Sequence, residues 1–232
     1  MITTITKAQY VNIPDSNFRA FLINKYPTCF NAIGQMDTTC SGVLLETSIS
    51  IAHADISDLT GLQYFKNVTM LYCCWCKLTS LPPLPLFLNS LQCVANPLHS
   101  LPSLPNSLVY LDCSGDSLTT LPTLPNSLTE LSCTNNQLTS LPMLDSVLYR
   151  LDCSYNKLTY LPSMPPLLGE LFCENNKLKT LPPLNNITDI ICDNNPMDSL
   201  PALPSTLLSL WCRNDHLSYI PQLPKSLMIL NC

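Results

Sequence analysis

The sequence predicts an α/β fold that is mostly β: a solenoid of short parallel strands with a helical cap at its N-terminal end. Three observations carry this prediction. A cysteine in the pattern L-x-x-L-x-C returns at Cys73, Cys93, Cys113, Cys133, Cys153, Cys173, Cys192, Cys212 and Cys232, in steps of 20 residues with one step of 19. A fixed period of this length signals stacked coils, because one coil cannot bury its apolar face without neighbours. Most of the 21 prolines fall in register, in the spacer L-P-x-L-P. A proline content that suggests disorder when aperiodic here marks a repeated element. The residues before about position 43 do not repeat, and a solenoid needs its first apolar coil covered.

Composition narrows the function. Of the 232 residues 46% are hydrophobic and 12% charged, which suits a folded, core-bearing chain. Net charge is −5 with 11 basic residues and no basic run, which argues against nucleic acid as a partner. No apolar run approaches the ~20 residues of a membrane span. Function is therefore sought on the surface that the stack presents, not in a pocket of one globular core.

Taken in order, residues 1–9, M-I-T-T-I-T-K-A-Q, read as a leader remnant or a disordered start. The first reading implies a longer leader and export. Residues 10–42 are the expected cap. Asp15 or Ser16 can start a helix whose apolar face includes Phe18, Phe21 and Leu22, and Pro27 stops it. Cys29 and Cys40 can close a disulfide in an oxidised protein, or stay buried thiols in a cytosolic one. Residues 43–232 form the solenoid. Its start is irregular but in phase: Ile49 and Ile51 take the Leu and Cys positions, and Ile56 takes the later leucine.

The unit Leu121 to Ser140 shows why these residues recur. The segment x-x-L-x-C is a short strand. Alternation sends Leu131 and Cys133 inward and Glu130, Ser132 and Thr134 outward. Leu121, Leu124, Leu128 and Leu138 close the coil interior. The ninth position, counted from Leu128, reads Cys76, Asn96, Asp116, Asn136, Asn156, Asn176, Asn195 and Asp215 along the chain. A buried amide there can bond backbone groups left open where the chain turns out of the strand. Pro122 and Pro125 favour an extended return without a helix.

The cysteine ladder reads as small apolar filler, since in-register neighbours on parallel strands suit a disulfide poorly. Cys74 stands apart. It takes the seventh position and is expected to face outward as an accessible thiol, close to His53 and beside Trp75. With Cys76 and His53 it makes an incomplete zinc set. As a nucleophile it lacks an orienting residue and an oxyanion donor.

The pattern L-x-x-L-x-C-x-x-N-x-L resembles the leucine-rich-repeat signature. The L-P-x-L-P spacer and the period of 20 resemble the short bacterial repeats of secreted effectors in the YopM and IpaH groups, and the longer step from Ile51 to Cys73 resembles internalin repeats. The resemblance spans about residues 43–232. It implies a right-handed, horseshoe-shaped solenoid with its strands on the concave face, and an exported bacterial protein that engages a host protein.

The face beside the strands varies from unit to unit. Asp112, Glu130, Asp152, Glu170, Glu174, Asp189 and Asp193 are expected to build an acidic sheet interrupted by Arg150. Phe172, Ile191 and Trp211 are expected to make an apolar row on consecutive strands. With Tyr110 and Tyr155 the candidate partner-binding set is Tyr110, Asp112, Glu130, Arg150, Asp152, Tyr155, Glu170, Phe172, Glu174, Asp189, Ile191 and Trp211. Exposed aromatics beside charges suit a protein-binding patch. The carboxylates can hold Ca²⁺ at most weakly, by bridging. No cofactor, metal centre or catalytic residue is expected.

The leading expectation is a non-enzymatic protein-interaction module, secreted or at the cell surface, that binds a host cell-surface protein such as an adhesion or innate-immune receptor. The alternative is an effector delivered to the host cytosol that scaffolds host proteins. A Cys74-dependent enzyme ranks last. Leu227, Leu230 and Cys232 lack a following unit, so either the chain continues or this edge pairs with a second copy in a homodimer.

Overall fold

A computed structural model describes residues 8–144 and 147–232. The leader expectation falls largely on residues 1–7, outside the described residues. Two short strands, β1 (Tyr10–Val11) and β2 (Met36–Asp37), pair antiparallel around helix α1 (Ser16–Lys25). A 3-10 turn at Pro27–Cys29 and helix α2 (Ser41–Leu44) lead into the repeats. There β3 (Ser48–Ser50), β4 (Met70–Tyr72), β5 (Ser90–Gln92), β6 (Tyr110–Asp112), β7 (Glu130–Ser132) and β8 (Arg150–Asp152) are followed by β9 (Glu170–Phe172), β10 (Asp189–Ile191), β11 (Ser209–Trp211) and β12 (Ile229–Asn231). These form one parallel 10-stranded sheet in strict sequence order.

Asp15 is the helix cap. Its Oδ1 accepts from the backbone N–H groups of Asn17 at 2.9 Å and Phe18 at 2.8 Å, answering two of the orphan donors of a helix start. Its Oδ2 accepts from the N–H and hydroxyl of Ser57 at 2.8 and 2.9 Å. One carboxylate thus starts α1 and ties it to the first coil. Phe18 and Leu22 are fully buried in a core shared with Leu59, Leu62 and Phe65, while Phe21 is partly buried against it. The helix ends at Lys25, and Tyr26 packs its ring on Phe65 with centroids 5.8 Å apart.

Cys29 and Cys40 form a disulfide across Cα atoms 5.4 Å apart. Closing a short loop limits the unfolded chain, so replacing both with serine is expected to cost about 2–4 kcal/mol. Thermal unfolding with and without reductant checks this: the wild type should lose stability in reductant and the double variant should not respond.

Each strand is three residues long, and a repeated local conformation ends it. Each ladder cysteine follows the last residue of its strand, and two residues past it the backbone is left-handed: Trp75, Ala95, Asn135, Tyr155, Asn175, Asn194 and Asn214 have φ between 52° and 60°, and Gly115 has φ 71°. Asn and Gly tolerate this conformation; Trp, Ala and Tyr adopt it at a cost.

The Asn column then gathers the backbone groups the turn exposes. Asn156 Nδ2 donates to the carbonyls of Cys133 at 2.9 Å, Cys153 at 3.1 Å and Ser154 at 3.1 Å. Its Oδ1 accepts from the N–H of Leu138 at 3.0 Å. Asn96, Asn136, Asn176 and Asn195 repeat this pattern. Asp116 and Asp215 cannot. Their Oδ1 atoms accept from the N–H of Asn96 and Asn195 at 2.7 Å, and their buried Oδ2 atoms have no hydrogen-bond partner.

The return segment between β3 and β4 holds a 3-10 turn at Leu62–Tyr64, and the later ones contain no helix among the described residues. In six of them a turn bonds a leucine N–H to the carbonyl of the second spacer proline, as Leu128 does to Pro125 at 3.0 Å. The serine column beside it adds bonds that the sequence reading missed. The Ser127 hydroxyl, for example, lies 2.8 Å from the Asn106 carbonyl and 2.6 Å from that of Leu108 in the preceding coil.

The ladder cysteines from Cys73 to Cys212 are at most 3% exposed. They are the packed filler that their spacing predicts.

Candidate functional site

From β3 to β10 each strand turns its middle residue into the core and its two flanking residues to the open face, whereas Ser209 of β11 is buried and Leu230 of β12 is exposed. Register then fixes two rows across the sheet. One runs Tyr110, Glu130, Arg150, Glu170, Asp189; the other runs Asp112, Ser132, Asp152, Phe172, Ile191, Trp211. All of these side chains are half-buried, because each is flanked by neighbours on adjacent strands. The structure therefore brings ten of the twelve candidate residues onto the strands of one face.

Two guanidinium groups organise this face. Arg150 Nη1 donates to Glu170 Oε2, and the guanidinium lies 4.6 Å from the centre of the Phe172 ring. Arg213 donates from Nε and Nη2 to Asp193 Oδ2 at 2.9 and 2.7 Å, with its guanidinium 5.0 Å from the Trp211 ring centre. Trp211 Nε1 donates to Ser209 Oγ at 3.1 Å. Phe172, Ile191 and Trp211 are contiguous, as expected, but they are not bare. Arginine covers one face of each ring, an arrangement favoured by the ring quadrupole.

Other expectations need correcting. Asp193 does not join the acidic surface; it is 1% exposed and held by Arg213. Cys74 is not an accessible thiol. It is also 1% exposed, and burial pushes its pKa up, opposite to what a nucleophilic thiolate needs. The cause is the turn: strict alternation holds only within the strand, so the seventh position is free to tuck inward. Ser154 is buried there too, whereas Glu174 is half-buried. Tyr155 stands on the left-handed turn at the rim of the face, 53% exposed. At the same rim His53 and Trp75 stack in parallel with ring centres 4.8 Å apart. Cys76 lies inside, its Sγ 3.5 Å from the Cys74 carbonyl. Among the described residues no group of three or more His, Cys, Asp or Glu is arranged to hold a metal ion.

The carboxylates differ in their surroundings. Asp112 Oδ1 accepts from the Ser114 hydroxyl at 2.6 Å and its N–H at 3.1 Å. Burial pushes Asp152 up, against bonds from Ser154 that favour its charged form. Burial and the adjacent Asp112 and Glu130 push the Tyr110 phenol up. Tyr110, Asp112, Glu130, Ser132 and Arg150 surround a depression of about 190 Å³ on this face.

Ten parallel three-residue strands, one per coil, with an inward leucine and a buried Asn column, decide the architecture. The fold is the leucine-rich-repeat solenoid. No protein-family model matches the sequence, and no curated protein sequence matches it. Solved leucine-rich-repeat structures do. YopM from Yersinia enterocolitica WA-314 is 30% identical with a TM-score of 0.65 over 80% of this chain, which spans 50% of that one. YopM from Yersinia pestis, a leucine-rich effector protein, is 27% identical with a TM-score of 0.71, covering 95% of this chain and 68% of that one. A Shigella effector leucine-rich-repeat domain is 28% identical with a TM-score of 0.65, covering 82% and 80%. The functional domain of InlJ from Listeria monocytogenes, which includes a cysteine ladder, shares the fold at 23% identity and a TM-score of 0.56, over 94% of this chain and 62% of that one. The chain thus spans about half the length of the first YopM chain it matches. No helix among the described residues is long and apolar enough to cross a membrane.

Proposed function

We propose that this leucine-rich-repeat chain is a non-enzymatic recognition module whose concave sheet face binds a host cell-surface protein, from an exported bacterial protein. The observation that carries the reading is the row Phe172, Ile191 and Trp211, in register on three adjacent strands and half-buried beside Arg150 and Arg213. The core does not need these rings, and aromatic and arginine side chains dominate the energetics of protein interfaces. The likeness to the repeats of the Yersinia pestis and Shigella effectors supports a bacterial, host-directed role. The Cys29–Cys40 disulfide favours an oxidising location, and so favours the cell surface over the alternative of a cytosol-delivered scaffold.

The test is replacement of Phe172 and Trp211 together with alanine. Affinity for a host-surface protein captured by the wild type is expected to fall by ~2 kcal/mol or more for each ring. Unchanged affinity in a variant that unfolds like the wild type rejects this site.

A further inference from the structure

The concave face carries a ring-and-carboxylate unit three times, and two of the three are filled by the chain itself. In the first, Arg150 lies over Phe172 and donates to Glu170. In the second, Arg213 lies over Trp211 and donates to Asp193. The third consists of Tyr110 and Asp112 on β6 and Glu130 on β7. Tyr110 pairs with Glu130 across the strands, and Asp112 sits two residues along on the same face. Its parts border the depression of about 190 Å³. Arg150, in register beside Glu130 and on the border of the depression, donates to Glu170 and makes no hydrogen bond to Glu130 or Asp112 among the described residues. Among the described residues the Glu130 carboxylate has no hydrogen bond or ion pair, and the Asp112 carboxylate bonds only to Ser114.

We propose that this third unit receives an arginine from the partner, and that the segment docking on the acidic half of the sheet is extended and cationic. The proposal rests on the sheet face being the binding surface, and it adds the chemistry of what binds there. Charge complementarity carries it. Asp112, Glu130 and Asp152 lie on three consecutive strands with no unengaged basic residue among them. Like charges this close repel one another and favour a cation arriving from outside. Arginine is specified over lysine because the two filled units use a planar guanidinium for both ring stacking and carboxylate pairing, and an ammonium matches only the charge.

The experiment uses fluorescein-labelled hexa-arginine, hexa-lysine and hexa-glutamate peptides, followed by fluorescence anisotropy at low and physiological salt. The wild type is expected to bind hexa-arginine more tightly than hexa-lysine and not to bind hexa-glutamate. Affinity should weaken with salt, since exposed charges are screened. The Asp112→Asn, Glu130→Gln double variant should lose about tenfold in hexa-arginine affinity. Glu130→Gln alone, which leaves the Asp112–Ser114 bonds intact, should lose part of this and unfold like the wild type. The Phe172→Ala, Trp211→Ala protein should still bind hexa-arginine through the third unit. Equal binding of hexa-arginine by wild type and both charge variants overturns the proposal, as does equal affinity for hexa-lysine. Should Phe172 and Trp211 matter to a captured host protein while Asp112 and Glu130 do not, the cation seat falls and the recognition surface stands.

Discussion

Asn156→Ala is expected to destabilise the solenoid by about 3–5 kcal/mol, because the side chain serves four backbone groups in two coils. The N–H of Leu138 loses its acceptor inside the core. The three carbonyls each lose one donor and keep another: Cys133 from Asn136, Cys153 from Asn176 and Ser154 from the N–H of Asn135. The unmet N–H costs about 1–3 kcal/mol, and the three lost donations add about 0.5–1 kcal/mol each. Denaturant unfolding of Asn156→Ala beside Lys157→Ala, an exposed neighbour, checks this. Similar midpoints for the two variants would show that the Asn column is not what joins the coils.

Asp116→Asn is expected to do the reverse and stabilise the protein, increasingly so as pH rises. Asp116 occupies the same column with an acceptor where its neighbours have a donor, and its Oδ2 is buried without a partner. Burial pushes its pKa from 3.8 up to about 8, against the bond from the Asn96 N–H. The folded state therefore keeps a proton that the unfolded chain has released. Between 3.8 and about 8 the unfolded chain binds fewer protons, so stability falls as pH rises through that window. Asp215, pushed to about 6 by burial and by Asp193, with His216 opposing, adds the same sign over a narrower range. The groups facing Asp116 are Asp112 and the thiols of Cys73, Cys93 and Cys113, and burial holds those thiols neutral in this range. An amide at 116 can donate to the carbonyls that neighbouring asparagines use. A gain of about 1–3 kcal/mol at pH 8 is expected, with a flattened profile from pH 6 to 8. Melting curves across pH that run parallel for the two proteins would contradict it.

Much of the fold is legible because its determinants are periodic. Leu131, Cys133 and Asn136 recur at one spacing, so one unit explains all, and Ile49 and Ile51 hold the phase even where the pattern blurs. Asp15 is readable as a cap by its place before Phe18 and Leu22. The second bond of its carboxylate, to Ser57, spans a distance in sequence that no local pattern announces. The face was less legible. Period-two alternation places Glu130 and Phe172 correctly but fails at Cys74 and Asp193, which lie past the end of the strand where the left-handed turn takes over. The small residues Cys74, Ser114, Thr134 and Ser154 at that position were a signal of limited space. Arg150 reads in sequence as an interruption of the acidic surface. Its role over Phe172 depends on a diagonal neighbour one strand away, and so on a rotamer choice that composition does not encode.

The Asn column also governs how the molecule bears load. Every strand joins only the strands before and after it, and each asparagine anchors to the coil preceding its own. Tension applied along the stack therefore meets the bonds of one seam at a time, like teeth parting in a zip fastener, instead of shearing a whole sheet at once. Such an object yields at modest force, in even increments of released chain. Seams lacking an amide, at Cys76, Asp116 and Asp215, are where parting would begin.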